Sequence, residues 1–496
     1  MTLESNPSLL TQRQAGVLLH ISSLPSTYYT GDLGIEAYRF VDFLHDIGAT
    51  VWQTLPINMP HADNSPYQCL SAYAGNPDFI SLETLQTQGL LTKEDLSGLL
   101  TSKTYFLAKA YDTFSQQADK KAQQDFTRFC KKHGHWLNDF ALFLALRNQF
   151  NDAGWSQWPE AYKNRDKKTL KLAQAELAQE IAVIKFAQFI FFTQWLALKK
   201  YATHKKVALF GDIPIFVAYD SAEVWVEPHF FKLDADKNMT VVAGVPPDYF
   251  SATGQRWGNP HYNWDAMAAN GFSWWVSRMA TQHELFDIVR IDHFRGLEAA
   301  WEIPATEETA INGVWVLAPG DALLAAITAA LPDINLVAED LGIITAEVDA
   351  LRAKYNLPGM KILQFAFSGT DDNPYLPHNI EENSVVYTGT HDNDTTVGWY
   401  DAMDEQQREH VHAYLRVSHY EQHEPNMPDD LIAMALESNA QLAIIPMQDI
   451  LALDGNHRMN TPGTTTGNWH WRFNWQQLSI EKKVSITELI TRTGRH

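Results

Sequence analysis

Short apolar runs bounded by turn residues recur along this chain, and most of them are separated by segments with helical spacing. The runs are rich in Val, Ile and Leu, which is typical of strands buried on both faces. Helical patterns cover 37–47, 322–331, 346–355 and 430–441. Alternating strands and helices predict an α/β fold with a parallel sheet, and eight repeats predict a closed (β/α)8 TIM barrel. The predicted strands are 17–22, 51–56, 207–214, 288–292, 335–339, 361–366, 385–390 and 442–448.

Two connections are too long for a simple crossover. Residues 60–206 begin with loop composition and continue as helices rich in Ala, Leu, Gln and Lys, which predicts an inserted, mainly helical subdomain. One of its helices is predicted over 169–201, with Thr169 as the N-cap and Leu172 on the apolar side. A smaller insertion, 296–320, follows the fourth strand. We therefore predict that residues 1–496 form a single barrel with helical insertions between its strands.

Composition restricts the partners that this chain can have. The 496 residues carry a net charge of −21, which argues against a nucleic-acid or anionic-membrane partner. Two cysteines, Cys69 and Cys130, are too few for a disulfide framework, and with no secretion signal visible at the start they favour a cytoplasmic setting. The most apolar stretch, 186–198, is shorter than the roughly 20 residues of a membrane span, so we expect a buried helix there.

Four acidic residues lie at or just beyond the ends of predicted strands: Asp212, Asp292, Glu339 and Asp392. The carboxyl ends of barrel strands open on one mouth, so we expect these side chains to converge there. Glycosidic bonds are cleaved by two carboxyl groups, one of which attacks while the other donates a proton. The acids therefore indicate glycoside chemistry, and the 16 tryptophans, many in loops, suit the stacking of sugar rings.

The fourth strand pairs a cation with one of these acids. Alternation places Ile288, Arg290 and Asp292 on one face and Val289 and Ile291 on the other. A guanidinium beside a carboxyl group favours its ionised form, which a nucleophile requires. A structural ion pair is the alternative, although the sequence HFRG that follows favours a functional role.

Glu339 and the His391–Asp392 pair complete the candidate chemistry. Glu339 ends an apolar strand, and burial would raise its pKa as a general acid requires, whereas capping of the next helix would suit Asp340 equally. His391 and Asp392 could bind a metal, but no second His cluster with suitable spacing accompanies them, so we expect them to grip sugar hydroxyls. Two aromatic loops, 246–260 and 458–469, are predicted lids.

Several motifs together resemble one known family. GVLLHISSLPS, SPYQCLSAYAGNP, GDIPIF, AGVPPDYFSATGQRWGNP, VRIDHFRG, AEDLG, YTGTHDN and RMNTPG occur in this order and span nearly the whole chain. They resemble the amylomaltases, or disproportionating enzymes, which are 4-α-glucanotransferases of family 77 of the glycoside hydrolases. The third-strand acid is followed by Ile-Pro-Ile-Phe instead of the Asn-His pair usual in α-amylases, which favours the transferase group.

The resemblance implies roles for individual residues. Asp292 would be the nucleophile, Glu339 the acid/base and Asp392 an acid that stabilises the transition state, with no metal or other cofactor. The implied substrate contacts are Tyr67, Asp212, Asp248, Tyr249, Phe250, Gln255, Trp257, Arg290, His391 and Asn460.

The implied reaction moves α-1,4-glucan segments from a donor to an acceptor maltooligosaccharide or glucose by a retaining double displacement. A retaining α-glucan hydrolase on the same barrel is the nearest alternative. A metal-dependent hydrolase using His391 and Asp392, and a glucan-binding protein without activity, are further alternatives.

Overall fold

A computed structural model describes residues 9–97, 102–247, 251–417 and 425–496 of the chain. The strands are β1 (Gln14–Leu18), β2 (Val51–Gln53), β3 (Ala208–Pro214), β4 (Val241–Val245), β5 (Gln255–Pro260), β6 (Ile288–Asp292), β7 (Ala299–Pro304), β8 (Val314–Leu317), β9 (Asn335–Ala338), β10 (Gly359–Ile362), β11 (Ser384–Tyr387) and β12 (Leu442–Pro446).

The α-helices occupy the connections between the strands. They are α1 (Ile35–Ile47), α2 (Leu82–Thr87), α3 (Lys93–Leu96), α4 (Lys103–Gln117), α5 (Lys120–Lys132), α6 (Gly134–Gln149), α7 (Glu160–Lys163), α8 (Lys167–Glu176), α9 (Ala178–His204), α10 (Ala222–Val226), α11 (Trp264–Ala269), α12 (Ser273–Leu285), α13 (Gly320–Ala330), α14 (Ala346–Lys354), α15 (Thr396–Asp401), α16 (Glu405–Val417), α17 (Asp429–Glu437), α18 (Met447–Ile450) and α19 (Ile480–Arg492).

Eight parallel strands form the predicted barrel, in the order β10-β11-β12-β1-β2-β3-β6-β9. The two ends of this order meet where the Ala338 N–H donates a hydrogen bond of 2.9 Å to the Pro358 carbonyl, just before β10. Inside the barrel, Phe210, Ile288 and Val337 belong to one apolar cluster, whereas Val289 and Ile291 pack outward with the helices. The predicted fold class and the predicted faces of the fourth strand are confirmed.

Most of the predicted strands end earlier than the apolar pattern indicated, and in two of them the apolar run continues into a 3-10 helix. The run at 361–366 is strand only as far as Ile362 and continues as a 3-10 helix, Leu363–Phe365. Likewise, the run at 17–22 begins earlier, as β1, and its last residues enter a 3-10 helix at Ile21–Ser23. Ile21 and Leu363 are fully buried in these turns, so their hydrophobicity reports burial and not strand geometry.

The helix predicted over 169–201 is two helices, α8 and α9, and its predicted cap is wrong. Asp166 caps α8, because its carboxylate accepts the Thr169 N–H at 2.8 Å. Leu172 is 57% exposed, and Leu170 and Ala173 supply the buried side of α8 instead.

Helix α9 contains the apolar stretch 186–198 and is a core helix. Among the described residues it is the helix long and apolar enough to cross a bilayer by length and composition alone. In this fold it packs against α4, α6 and β3, and Phe186, Phe191 and Trp195 are fully buried. Its burial inside the protein accounts for its hydrophobicity.

Two glutamines of α9 bind the backbone of the segment that follows β2. The Gln188 side chain accepts the Gly75 N–H at 2.8 Å and donates to the Gly75 carbonyl at 2.9 Å. Gln194 makes the same pair of bonds with Ser81, at 2.8 and 3.1 Å. Gly75 lies so close to Phe191 that a Cβ atom there would come within 2.0 Å of the ring. These contacts fix the segment that carries Tyr67 against the helix.

A second, antiparallel sheet of order β5-β4-β7-β8 was not predicted from the sequence. It is built from the connections after β3 and β6. Residues 255–260, predicted as part of a lid loop, form its edge strand β5. The first residues of β5 are exposed and its last residues are buried. Its sequence therefore lacks the period-2 alternation by which a half-buried strand is predicted.

We expect Gln188→Leu to destabilise the protein, because it leaves the buried N–H and carbonyl of Gly75 unpaired. Unsatisfied buried groups cost about 1–3 kcal/mol each, so the free energy of unfolding should fall by about 2–6 kcal/mol for the two groups. Gln179→Leu is the matched control, since Gln179 is an exposed position of the same helix. Thermal unfolding of the two variants makes the comparison, and equal melting temperatures would contradict the role given to Gln188.

Candidate active site

A buried arginine occupies the centre of the barrel mouth. Arg290, on β6, donates from Nη1 to both oxygens of Asp212, on β3, at 2.8 and 2.7 Å. Its Nη2 lies 2.8 Å from Oδ1 of Asp292, and its Nε donates to the Met360 sulfur at 3.3 Å. A guanidinium has a planar set of donors that suits such simultaneous pairing. Arg290 therefore fixes two of the predicted acids relative to each other.

Asp292 and Glu339 lie at the ends of adjacent strands. Ile291 of β6 is in register with Ala338 of β9, and Glu339 follows directly. His293, with a φ of +55°, turns its N–H toward Glu339 Oε2 and donates to it at 2.6 Å. The Leu341 N–H donates to the other oxygen, Oε1, at 2.9 Å. Both carboxyl groups thus belong to one site, and the orientation of Glu339 is fixed by backbone donors.

Burial raises the pKa of both carboxyl groups. For Asp292, burial raises the pKa to about 8; Arg290 lowers it, while Asp212, Glu339 and Asp392 raise it further. Burial also raises the pKa of Glu339, against the lowering effects of Arg290 and of the two backbone donors. The sequence predicted that Arg290 would dominate at Asp292, which is wrong because burial and three neighbouring acids outweigh it. The pair therefore retains a proton near neutral pH.

Tyr67 connects the third-strand acid with His391. Its hydroxyl donates to Asp212 Oδ2 at 2.7 Å, and its ring stacks on that of His391 with centroids 5.1 Å apart. The Trp469 ring lies 6.0 Å from both rings. Burial lowers the pKa of His391, so its imidazole is neutral. The three rings form an aromatic wall beside the acids.

Asp392 is the most exposed of the predicted acids, with 49% of its side chain accessible. Its Oδ1 accepts the Asn460 side-chain N–H at 2.6 Å and lies 3.4 Å from Nε2 of His391. Asn460 comes from the loop 458–469, so this loop reaches the strand-end acid Asp392, while its role as a lid stays a prediction.

Two of the other predicted contacts, Gln255 and Trp257, lie on β5 of the second sheet. The Trp257 ring packs edge-on against the ring of His293, with centroids 4.8 Å apart. His293 directly follows Asp292 in the sequence. Gln255 is exposed and accepts the Trp257 indole N–H at 3.1 Å. Asp248, Tyr249 and Phe250 lie outside the described residues.

Several residues of the site were not singled out from the sequence. Met360 receives the Arg290 Nε–H, Arg458 contacts the Asp392 backbone, and Trp469 extends the aromatic wall. His20 is buried near His391, and burial together with that neighbour lowers the pKa of His20 to about 3. The aromatic and glycine content of 458–469 pointed to the loop, whereas nothing local to Met360 or His20 marks their position beneath the acids.

The arrangement can perform acid–base and nucleophilic chemistry on a ligand at the mouth. It combines a carboxyl pair that holds a proton, a guanidinium that orients one member, and a third, exposed acid. In the described residues, no three His, Cys, Asp or Glu side chains are grouped so that they could hold a metal ion.

Comparison with known proteins identifies the family. The model of the 4-alpha-glucanotransferase family, family 77 of the glycoside hydrolases, matches residues 19–478. The 4-alpha-glucanotransferases of a Synechocystis strain and of Thermus thermophilus are each 45% identical, over 98% and 97% of this chain and 100% and 99% of their own. Amylomaltase from Streptococcus agalactiae, solved with acarbose, superposes with a TM-score of 0.93 at 36% identity, covering 98% of this chain and all of its own. The chain belongs to the 4-alpha-glucanotransferase family, glycoside hydrolase family 77.

Proposed function

We propose that this protein is a 4-α-glucanotransferase that moves α-1,4-glucan segments between maltooligosaccharides by a retaining double displacement. The observation that carries the proposal is the pairing of Asp292 and Glu339 on adjacent strand ends, with Arg290 bonded only to the first of the two. Both carboxyl groups have a raised pKa, so one proton remains in the pair while the other group can attack.

In the first step, an Asp292 oxygen attacks the anomeric carbon of the donor sugar. The bond from that carbon to the glycosidic oxygen breaks, and Glu339 transfers its proton to the departing oxygen. The product is a covalent ester between Asp292 and the glucan, with inverted configuration. We propose that the reacting state of the pair has Asp292 ionised and the shared proton on Glu339; the Arg290 contact stabilises this state against the effect of burial, which raises the pKa of Asp292.

In the second step, Glu339 acts as the base. It takes the proton from the 4-hydroxyl of an acceptor sugar, whose oxygen attacks the anomeric carbon and releases Asp292 as a carboxylate. The second inversion restores the original configuration. Asp392 supplies negative charge beside the positively charged transition state, and neutral His391 and Asn460 orient it.

Transfer must compete with hydrolysis by abundant water. A hundredfold preference for the acceptor corresponds to about 2.7 kcal/mol in activation free energy. An acceptor held against the reacting centre gains more than this through effective molarity. Trp257, Tyr67 and Trp469 border the acids with aromatic surface on which sugar rings can pack, and we propose that they hold the acceptor and exclude water.

The remaining contacts are proposed with this reaction. Gln255, Asp248, Tyr249 and Phe250 would bind glucan hydroxyls or rings around the acids. Asp212 was expected to contact substrate as well, but it is fully buried and bonded to Arg290 and Tyr67, so it would hold these two side chains in place instead. A cytoplasmic location is proposed from the two thiols, which are free in this structure.

Incubation of the purified protein with maltotriose distinguishes transfer from hydrolysis. We expect glucose together with a ladder of longer maltooligosaccharides, because each glycosyl ester is captured by a second sugar. Separation of the products by chromatography measures this ratio. Products no longer than maltotriose would instead support the hydrolase.

Substitution of each carboxyl separates the proposed nucleophile from the proposed acid. Glu339→Gln should lower turnover of maltotriose by about 100- to 10,000-fold, since general acid catalysis contributes this much. With α-maltosyl fluoride, whose leaving group needs no proton, this variant should release fluoride in a burst and retain a maltosyl group on Asp292, detectable by mass spectrometry. Asp292→Ala should do neither, and Glu347→Gln, an exposed carboxyl, should behave as wild type. A maltosyl group on another residue would contradict the assignment.

The raised pKa values predict the pH dependence of kcat/KM. A carboxyl whose pKa is raised keeps its proton to a higher pH, and burial raises the pKa of Glu339, so its acid function should extend to higher pH than that of an exposed glutamate and be lost on the alkaline side of the profile. Activity should also fall in acid, as the pair takes up a second proton. Profiles measured with maltotriose and with α-maltosyl fluoride test the origin of the alkaline limb, since only maltotriose requires the acid. An identical alkaline limb with both donors would show that another group causes it.

A further inference from the structure

We propose that Arg458 is a positioning residue that holds Asp392 and Asn460 in a fixed relation to each other. The inference rests on the proposed function, in which Asp392 acts on the transition state. It concerns a side chain that makes no contact with the carboxylate of Asp392 among those described, so its influence would be indirect.

The Arg458 guanidinium makes three contacts across two segments of the chain. Its Nη2 donates to the Asp392 carbonyl at 3.0 Å, and its Nε donates to the Asn460 carbonyl at 3.2 Å. Its Nη1 lies 3.6 Å from Oδ2 of Asp394. One rigid planar group therefore connects the loop after β11 with the loop 458–469.

Asp392 needs this support because its own side chain is half exposed. In the described structure, its carboxylate contacts Asn460 and His391, and its backbone N–H makes a bond of 3.3 Å with the Thr390 hydroxyl. An exposed carboxylate on a loop has rotational freedom unless its backbone is fixed. Arg458 fixes the Asp392 carbonyl, and Asn460 then fixes the carboxylate.

The far side of Arg458 is itself well anchored. Met459, between Arg458 and Asn460, is buried in the barrel core, and its carbonyl accepts the Trp469 N–H at 2.8 Å. Asp394 fits closely against Gly398 and Gly455, where added Cβ atoms would come within 2.5 and 3.0 Å of its Oδ1. Through these contacts, the Arg458 guanidinium connects the exposed Asp392 to residues that the barrel core holds in place.

Kinetics of Arg458 variants test this role. Arg458→Ala should lower kcat for maltotriose by about 10- to 100-fold, the range expected when a reacting group is displaced by about 1 Å. KM should stay within about threefold, because the acids still meet the sugar. Arg458→Lys should restore little, since an ammonium cannot make the three contacts in one plane. Arg472→Ala is the matched control: this arginine of the same segment bonds the Ser26 and Tyr28 carbonyls, away from the acids.

Two further readouts separate positioning from a loss of stability. Methylguanidinium added at millimolar concentration should raise the kcat of Arg458→Ala severalfold and leave wild type and Arg472→Ala unchanged. The double variant Arg458→Ala/Asn460→Ala should lose less activity than the product of the single losses, because both act on Asp392. A kcat within twofold of wild type would overturn the proposal. A loss of kcat that accompanies a lower melting temperature and is not restored by methylguanidinium would also overturn it.

Failure of this inference can be distinguished from failure of the proposed function. If wild type yields only hydrolysis products from maltotriose, the transferase proposal fails, whereas the effect of Arg458 on the rate of bond cleavage still tests the inference. If transfer is observed and Arg458→Ala retains full activity, the inference alone fails.

Discussion

The burial of one guanidinium inside the barrel determines how the mouth of this protein is organised. A buried cation must be neutralised and hydrogen-bonded, and removal of one partner of such a pair typically costs 3–5 kcal/mol. Arg290 meets this requirement with Asp212 on one side, Asp292 on the other and the Met360 sulfur at Nε. Tyr67 then bonds to Asp212 and stacks on His391. The positions of the groups at the barrel mouth therefore depend on how the buried charge of Arg290 is neutralised.

Much of this could be predicted from local pattern, and the failures have physical causes. Period-2 alternation around Arg290 fixed its face and that of Asp292, because both neighbours are apolar and pack outward. The raised pKa of Asp292 could not be predicted from its strand, because it is caused first by burial in the folded barrel and then by Asp212, Glu339 and Asp392, which are distant in the sequence. The second sheet was missed because β5 mixes exposed and buried positions without period. Asp166 and not Thr169 caps the helix, because the helix begins three residues earlier than predicted and the Asp166 carboxylate accepts the Thr169 N–H.

The residues at the barrel mouth come from strand ends and from loops. Asp292 and Glu339, which we propose form and break bonds, lie at strand ends, where ladder hydrogen bonds hold their backbones, and Glu339 is additionally fixed by the N–H groups of His293 and Leu341. The aromatic residues that border them come from loops and from the edge strand β5. This division keeps the acids in fixed positions, whereas the loops that carry the aromatic residues can differ in shape.

The contact between Asn460 and Asp392 has a consequence for how the protein is made. Ribosomes add about 5–20 residues per second, so Asn460 follows Asp292 out of the tunnel by roughly 10–30 s. Asp212, Arg290, Asp292 and Glu339 are therefore all synthesised before Asn460, the neighbour of Asp392. A nascent chain that has not yet reached Asn460 lacks this contact, and we expect it to lack activity until then.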